Sequence, residues 1–229
     1  MVKGIYIGLD GIDGAGKTSL KKSLPKILYG REVVVTHQPG GTPLADLIRV
    51  PILSKEAKRS DPLTQMLLHF AARHENIEDV VKPALARGAI VISDRTEAAT
   101  YAYQLHGQLA EVEWGTKKRE QLVELFHELS IMVLGDCCPD AYFYLDISPA
   151  EGKRRKMLAA GEEPPNHFDE RDFTFHERLR DGYREYGSHV RKTGRQFFVI
   201  NAMYTESEVR TDFHAKLRNL LVSDLGIGI

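Results

Sequence analysis

The stretch Ile5-Tyr-Ile-Gly-Leu-Asp-Gly-Ile-Asp-Gly-Ala-Gly-Lys-Thr18 decides the fold. Its first five residues form a short apolar run of the kind that fills a buried strand. The run leads directly into Gly11-Ile-Asp-Gly-Ala-Gly-Lys-Thr18, a full match to G-x-x-x-x-G-K-[ST]. From Thr18 to Leu28 the apolar positions Leu20, Leu24, Ile27 and Leu28 share one helical face. Strand, glycine loop and helix in that order are the context in which this motif cradles phosphate. The glycines let the backbone wrap closely with its N–H groups inward, and the helix that follows adds its positive end. Gly11, Ile12, Asp13, Gly14, Ala15, Gly16, Lys17, Thr18 and Ser19 are therefore expected to bind a nucleoside triphosphate. Lys17 is expected to reach the β- and γ-phosphates, and the Thr18 hydroxyl to ligate Mg²⁺.

Outward from the loop, further apolar runs alternate with helical patterns. Strands are expected at residues 32–36, 89–93, 141–145 and 196–200, and helices at about 61–83, 117–134, 169–192 and 205–222. Asp61-Pro62 reads as a cap with an N1 proline. The pattern predicts an α/β fold with a five-stranded parallel sheet flanked by helices on both faces. Ligands bind such sheets at the carboxyl ends of the strands, which points to residues 10–18, 37–42, 94–104 and 146–150. At 229 residues the chain suits a single domain, 1–229. With 42% hydrophobic residues it can bury a core. A net charge of −1 argues against a nucleic-acid polymer as partner. No apolar run is long enough to span a bilayer, so no membrane partner is expected. Residues 1–9 hold no signal-peptide pattern, and Cys137 and Cys138 are adjacent and poorly placed for a disulfide, which together suggest a cytoplasmic location.

The choice among phosphate-loop proteins rests on the other strand ends. A guanine-nucleotide switch needs Asn-Lys-x-Asp and Asp-x-x-Gly, and neither string occurs. The third strand ends Ser93-Asp94-Arg95. A carboxylate there suits the Mg²⁺ shell (Asp94), and the guanidinium of Arg95 is a forked donor for a second phosphate. With the loop, Thr36-His-Gln-Pro-Gly-Gly-Thr-Pro-Leu44, Phe70-Ala-Ala-Arg73, Ser93-Asp-Arg95 with Ala102-Tyr-Gln104, Pro139-Asp140, Asn166-His-Phe-Asp169, Phe175-His-Glu-Arg178 and Gly182-Tyr183, the chain resembles the bacterial-type thymidylate kinases from about residue 3 to 220.

The resemblance implies a P-loop kinase three-layer sandwich and transfer of the ATP γ-phosphoryl group to deoxythymidine monophosphate (dTMP), with ATP and Mg²⁺, in a homodimer. It implies that Asp13, Lys17 and Arg95 act in catalysis, and that Pro39, Arg49, His69, Arg73, Thr100, Tyr103 and Gln104 line the acceptor site together with Asp13 and Arg95. Arg73 corresponds to the arginine near the thymine carbonyl, Thr100 and Gln104 to readers of the pyrimidine edge, and Tyr103 to the ring that favours deoxyribose. A mobile lid is expected over about 150–171, where Arg154, Arg155 and Lys156 are the candidate cations; Arg154 is assigned to ATP and Arg155 to catalysis. The departures cluster at the acceptor. The family's Thr-Arg-Glu-Pro reads Thr36-His37-Gln38-Pro39, its thymine-stacking phenylalanine is His69, the aromatic after Asp-Arg is Thr96, a lid arginine is His167, and a frequent serine is Ala99. One reading is drift, with Phe70 compensating for His69. Another is a pocket retuned to a 5-modified deoxypyrimidine such as hydroxymethyl-deoxyuridylate, because sites built to hydrogen-bond a hydroxyl discriminate strongly. A third, of another class, is a nucleotide-binding regulator without turnover. The histidines have no metal-binding spacing, Trp114 suits a packing anchor, and the stripe Leu122, Leu125, Phe126, Leu129 suits a core face or a dimer seam.

Overall fold

A computed structural model describes residues 4–24, 28, 30–158 and 166–224. Five parallel strands form one sheet in the order β2-β3-β1-β4-β5: β1 Ile5–Asp10, β2 Val33–His37, β3 Ile90–Asp94, β4 Ala141–Asp146 and β5 Gln196–Asn201. Every residue of β1 is buried, as expected of a central strand covered on both faces. β2 and β3 run one residue past the expected ends because backbone pairing continues beyond the apolar residues. His37 pairs with Asp94, and Gln38 N donates to Asp94 O at 2.9 Å. The extra rungs hold the first polar residues of the loops in fixed register at the carboxyl edge.

The helices are α1 Lys17–Ser23, α2 Pro43–Leu53, α3 Pro62–Asn76, α4 Lys82–Ala86, α5 Glu97–Thr100, α6 Thr116–Leu134, α7 Pro149–Leu158, α8 Phe173–Lys192 and α9 Glu206–Asn219. The predicted helix after Thr18 agrees through Leu24; Ile27 and its neighbours 25–27 lie outside the described residues. Asp61 caps α3, its carboxylate accepting from Leu63 N at 2.9 Å. The expected 61–83 helix is instead α3 and α4 joined by a π-helical turn at Ile77–Val81. A second π segment, Tyr101–Gln108, continues α5. Such widened turns re-aim side chains that a regular helix would place elsewhere. On α6, Leu122 and Phe126 are buried, with Leu125 and Leu129 packed at the margin, so this stripe faces the core. Trp114 lies under the Lys118 ammonium, 3.7 Å from the ring centre, and packs against that core.

α8 closes over the sheet through glycine. A Cβ on Gly187 would run into the buried Phe197 ring of β5. Gly187→Ala is therefore expected to lower unfolding free energy by about 1–3 kcal/mol through overpacking. Denaturant titration checks this, and an unchanged midpoint would show that the ring has room to move.

Candidate active site

The loops after β1, β2, β3 and β5 converge on one cleft of about 1010 Å³. Gly14 and Gly16 adopt left-handed backbone, φ 77° and 99°, which non-glycine residues rarely tolerate. A Cβ on Gly14 would also collide with the carbonyl of Gly152, so α7 lies directly against the loop. A Cβ on Gly16 would meet nothing, which leaves its side of the loop open. Lys17 folds over the loop, donating to Gly11 O at 2.9 Å and Ile12 O at 3.2 Å. Burial and Arg95 lower its pKa, against Asp94, Asp13 and Asp10.

Arg95 follows β3 in left-handed backbone at φ 71°, rare for a side chain of its size. Its N–H is tied to Leu9 O at 2.9 Å, and its carbonyl accepts from Ser93 Oγ at 2.7 Å. The guanidinium then turns back to the loop, where Nη2 meets Asp13 Oδ1 at 2.5 Å and Nη1 reaches Gly11 O and the Tyr183 hydroxyl. It also covers the Tyr103 ring at 5.1 Å. Lys156 of α7 approaches Asp13 from the opposite side, 2.8 Å from Oδ2, and binds Asp169 at 2.5 Å. Burial alone would raise the Asp13 pKa, but Arg95, Lys17 and Lys156 outweigh it and hold the carboxyl well below the usual range. Asp94 is paired with Lys21. Its burial is likewise outweighed by Lys17, Lys21 and Arg95, which lower its pKa.

At the other end of the cleft, Arg73 is 1% exposed. Nε donates to Gln38 Oε1 at 2.8 Å, and Nη2 to Thr96 O and Thr100 Oγ1 at 2.9 and 3.0 Å. Gln38 is held by Asn76 at 3.1 Å, and Asn76 by Thr36 at 2.7 Å and Gly40 O at 2.9 Å. His69, one turn before Arg73, lines the same wall. Burial pushes its imidazole down to about 3; the bond to Gln65 O opposes this, and Arg73, Arg95 and Arg49 add to it. Phe70 does not compensate for His69. It points into the core, 5.6 Å from the Phe126 ring.

Of the residues expected from sequence, Asp13 to Ser19, Pro39, Arg49, His69, Arg73, Asp94, Arg95, Tyr103 and Arg155 line the cleft. Gly11 and Ile12 face Lys17 from within the loop. Thr100 and Gln104 are buried behind the wall: Thr100 supports Arg73, and Gln104 bonds Gln108 at 3.3 Å. Arg154 stands outside, 60% exposed and bridged to Glu151. Arg155 also binds Glu151, at 2.7 Å, so of these three cations Lys156 is the one in contact with the loop. His167 is buried, donating to Ile52 O at 3.0 Å and tying residues 166–169 to α2. Asp146 leaves the strand ends to bind Arg180 and Arg184 of α8. Lys21 and residues 204–209 escaped the sequence reading because no motif spacing links them to the loop, and Tyr183 entered it only as part of the resemblance, without a role. Lys21 repeats the Lys17 face one turn on, the one signal available.

Eight Lys or Arg side chains line this cleft against three carboxylates, although the whole chain carries net charge −1. The thymidylate kinase family model matches residues 9–213. The chain belongs to the thymidylate kinase family. A thymidylate kinase from Teredinibacter turnerae is 34% identical over 220 residues, covering 95% of this chain and 99% of that protein. One from Methylobacillus flagellatus is 40% identical over 184 residues, covering 80% and 82%. A crystal structure of thymidylate kinase from Ehrlichia chaffeensis matches with a TM-score of 0.68 at 27% identity, covering 94% of this chain and 99% of that one.

Asp10, fully buried under the loop, accepts from Thr96 Oγ1 at 2.7 Å and Thr96 N at 3.2 Å. Burial raises its pKa from 3.8 to about 6, the Thr96 bonds opposing. The folded carboxyl holds its proton more tightly than the unfolded one. Its stabilising contribution is therefore full below the unfolded value and lost as pH rises through about 6. The unfolding free energy of the wild type minus that of Asp10→Asn is expected to fall by about 3 kcal/mol from pH ~4 to ~7. Denaturant curves across that range check it; a difference that stays level or climbs contradicts it.

Proposed function

We propose that the chain transfers the γ-phosphoryl group of ATP to dTMP, giving ADP and deoxythymidine diphosphate. Family membership supports turnover over a regulator that only binds nucleotide. The observation that carries the residue roles is the meeting of Arg95 with Asp13 of the loop at 2.5 Å inside a cationic cleft. The acceptor is a phosphate monoester, mostly dianionic at neutral pH, so the reaction needs no strong base. The obstacle is the repulsion between two polyanions, and the transition state is loose, so positioning and charge stabilisation dominate.

The loop from Gly11 to Ser19 holds the ATP phosphates, with Lys17 swinging from its own loop carbonyls to the β- and γ-oxygens. Arg95 takes the acceptor phosphate. Asp13 is the internal counter-ion that keeps Arg95 and Lys156 in place until phosphates replace it. An acceptor oxygen then attacks the γ-phosphorus as the bond to the bridging β–γ oxygen breaks. Arg73 meets the base, supported from behind by Gln38 and Thr100, while Pro39, Arg49 and Tyr103 line its path. Gln104 stabilises this wall from the second layer. Lys156 and Arg155 serve as the cations of a mobile lid over 150–171, of which residues 159–165 lie outside the described residues.

The donor set fits Mg²⁺. Thr18 presents an exposed hydroxyl at the start of α1, Asp94 an ionised carboxylate at the end of β3. Among the described residues no cluster of three metal-ligating side chains exists. A metal that binds through one or two protein oxygens and substrate phosphates needs no more. Bound there, Mg²⁺ would neutralise charge on the β- and γ-oxygens.

The homodimer would use the outer face of α2, α3 and α6, where Leu47, Val50, Leu67, Ile131 and Met132 are exposed. Apolar residues exposed together on neighbouring helices mark interaction surfaces. A cytoplasmic site of action is part of the same proposal; both cysteines are free, and among the described residues no helix is long and apolar enough to cross a membrane.

In a coupled ADP-release assay, Arg95→Ala is expected to cut kcat/KM for dTMP by about 10³-fold or more, as loss of a transition-state cation does. Retention of near-full turnover would remove Arg95 from the mechanism. The same assay should show a larger kcat loss for Lys156→Ala than for Arg154→Ala; the reverse order would return the lid role to Arg154. Light scattering is expected to give twice the chain mass, falling to one chain in an Ile131→Glu, Met132→Glu variant.

A further inference from the structure

The wall at the Arg73 end of the cleft carries a hydrogen-bond acceptor that a methyl group does not satisfy. His69 and Arg73 are four residues apart on α3 and both line the cleft, as side chains one helical turn apart share a face. His69 Nδ1 lies 2.8 Å from Gln65 O. A carbonyl only accepts, so Nδ1 carries the proton and the neutral ring leaves Nε2 as an acceptor. No described residue donates to Nε2. Arg73 spends Nε and Nη2 on Gln38, Thr96 and Thr100, while its buried Nη1 has no partner. The hydrogen-bonded neighbours of this guanidinium are an amide, a peptide carbonyl and a hydroxyl, none of them charged. With Phe70 turned into the core, His69 is the ring that α3 presents to the cleft.

An unclaimed acceptor therefore faces the cleft, while Arg73 Nη1 stays buried behind the wall. A methyl group cannot donate to Nε2 and strips water from it. A hydroxyl donates to it. We propose that His69 makes the acceptor pocket selective for a deoxypyrimidine monophosphate whose 5-substituent ends in a hydroxyl, the hydroxymethyl group being the smallest such substituent. The proposal rests on the placement of the acceptor base at this end of the cleft. His69 is the specificity-determining residue.

The test is calorimetric titration of the whole chain with deoxyuridylate, dTMP and 5-hydroxymethyl-deoxyuridylate, beside a coupled ADP-release assay with the same three nucleotides. Hydroxymethyl-deoxyuridylate is expected to bind about tenfold more tightly than dTMP and to show a correspondingly higher kcat/KM. His69→Phe should bring the ratio to one or below. His69→Gln, which keeps an acceptor, should preserve its direction. Should either variant fail to fold, the order of affinities in the wild type decides alone. Equal affinities for dTMP and the hydroxymethyl nucleotide, or tighter binding of dTMP, overturn the proposal. If no nucleotide elicits ADP release, the kinase reading falls, while the binding order still decides the selectivity of the pocket.

Discussion

The Arg95 guanidinium and the Asp13 carboxylate meet across the gap between β1 and β3, and most of the site depends on that contact. Arg95 gets there through a left-handed residue that costs roughly 1–3 kcal/mol. The cost is met locally, by Leu9 O on its N–H and Ser93 Oγ on its carbonyl. Leu9 also pairs with Asp94 across the two strands. The phosphate loop and the arginine are thus fixed by the same few rungs of one sheet. The spacing between the loop and Arg95 is a property of strand register.

The second constraint is charge. A chain close to neutral overall gathers eight cations around one cleft. Such a concentration would repel itself without internal anions, and Asp13 and Asp94 supply them. Each sits between two or more cations, which holds it ionised. The wall around Arg73 is built differently. Its buried charge is surrounded by neutral hydrogen-bond partners and backed by the Gln38–Asn76–Thr36 chain. Arg73 Nη1 is left buried without a partner.

Residues 4–24 and the strand ends were readable because local chemistry dictates them. Glycine at Gly14 and Gly16 is demanded by the backbone, and apolar strands by burial on both faces. The long-range pairings were not readable. Spacing could nominate Arg154, Arg155 and Lys156 as lid cations, but not which one reaches Asp13, because that depends on how α7 rests on the loop through Gly14 and Gly152. Thr100 and Gln104 looked like direct base readers by position. Gln104 lies in the π segment Tyr101–Gln108 and Thr100 ends the helix before it, and both are fully buried behind the wall. Phe70 looked able to replace a ring at His69, yet adjacent residues on a helix point about 100° apart, and Phe70 belongs to the core.

The sequence by itself determined the parallel α/β architecture, the phosphate loop and the presence of an arginine after the third strand. Each follows from interactions within a few residues: apolar runs, glycine φ angles, a motif on a strand end. Only the tertiary structure decided which cations share Asp13, which ring of α3 faces the cleft, and that Arg73 is buried among neutral partners. Those depend on contacts between residues tens to more than a hundred positions apart, which packing fixes and sequence spacing does not encode.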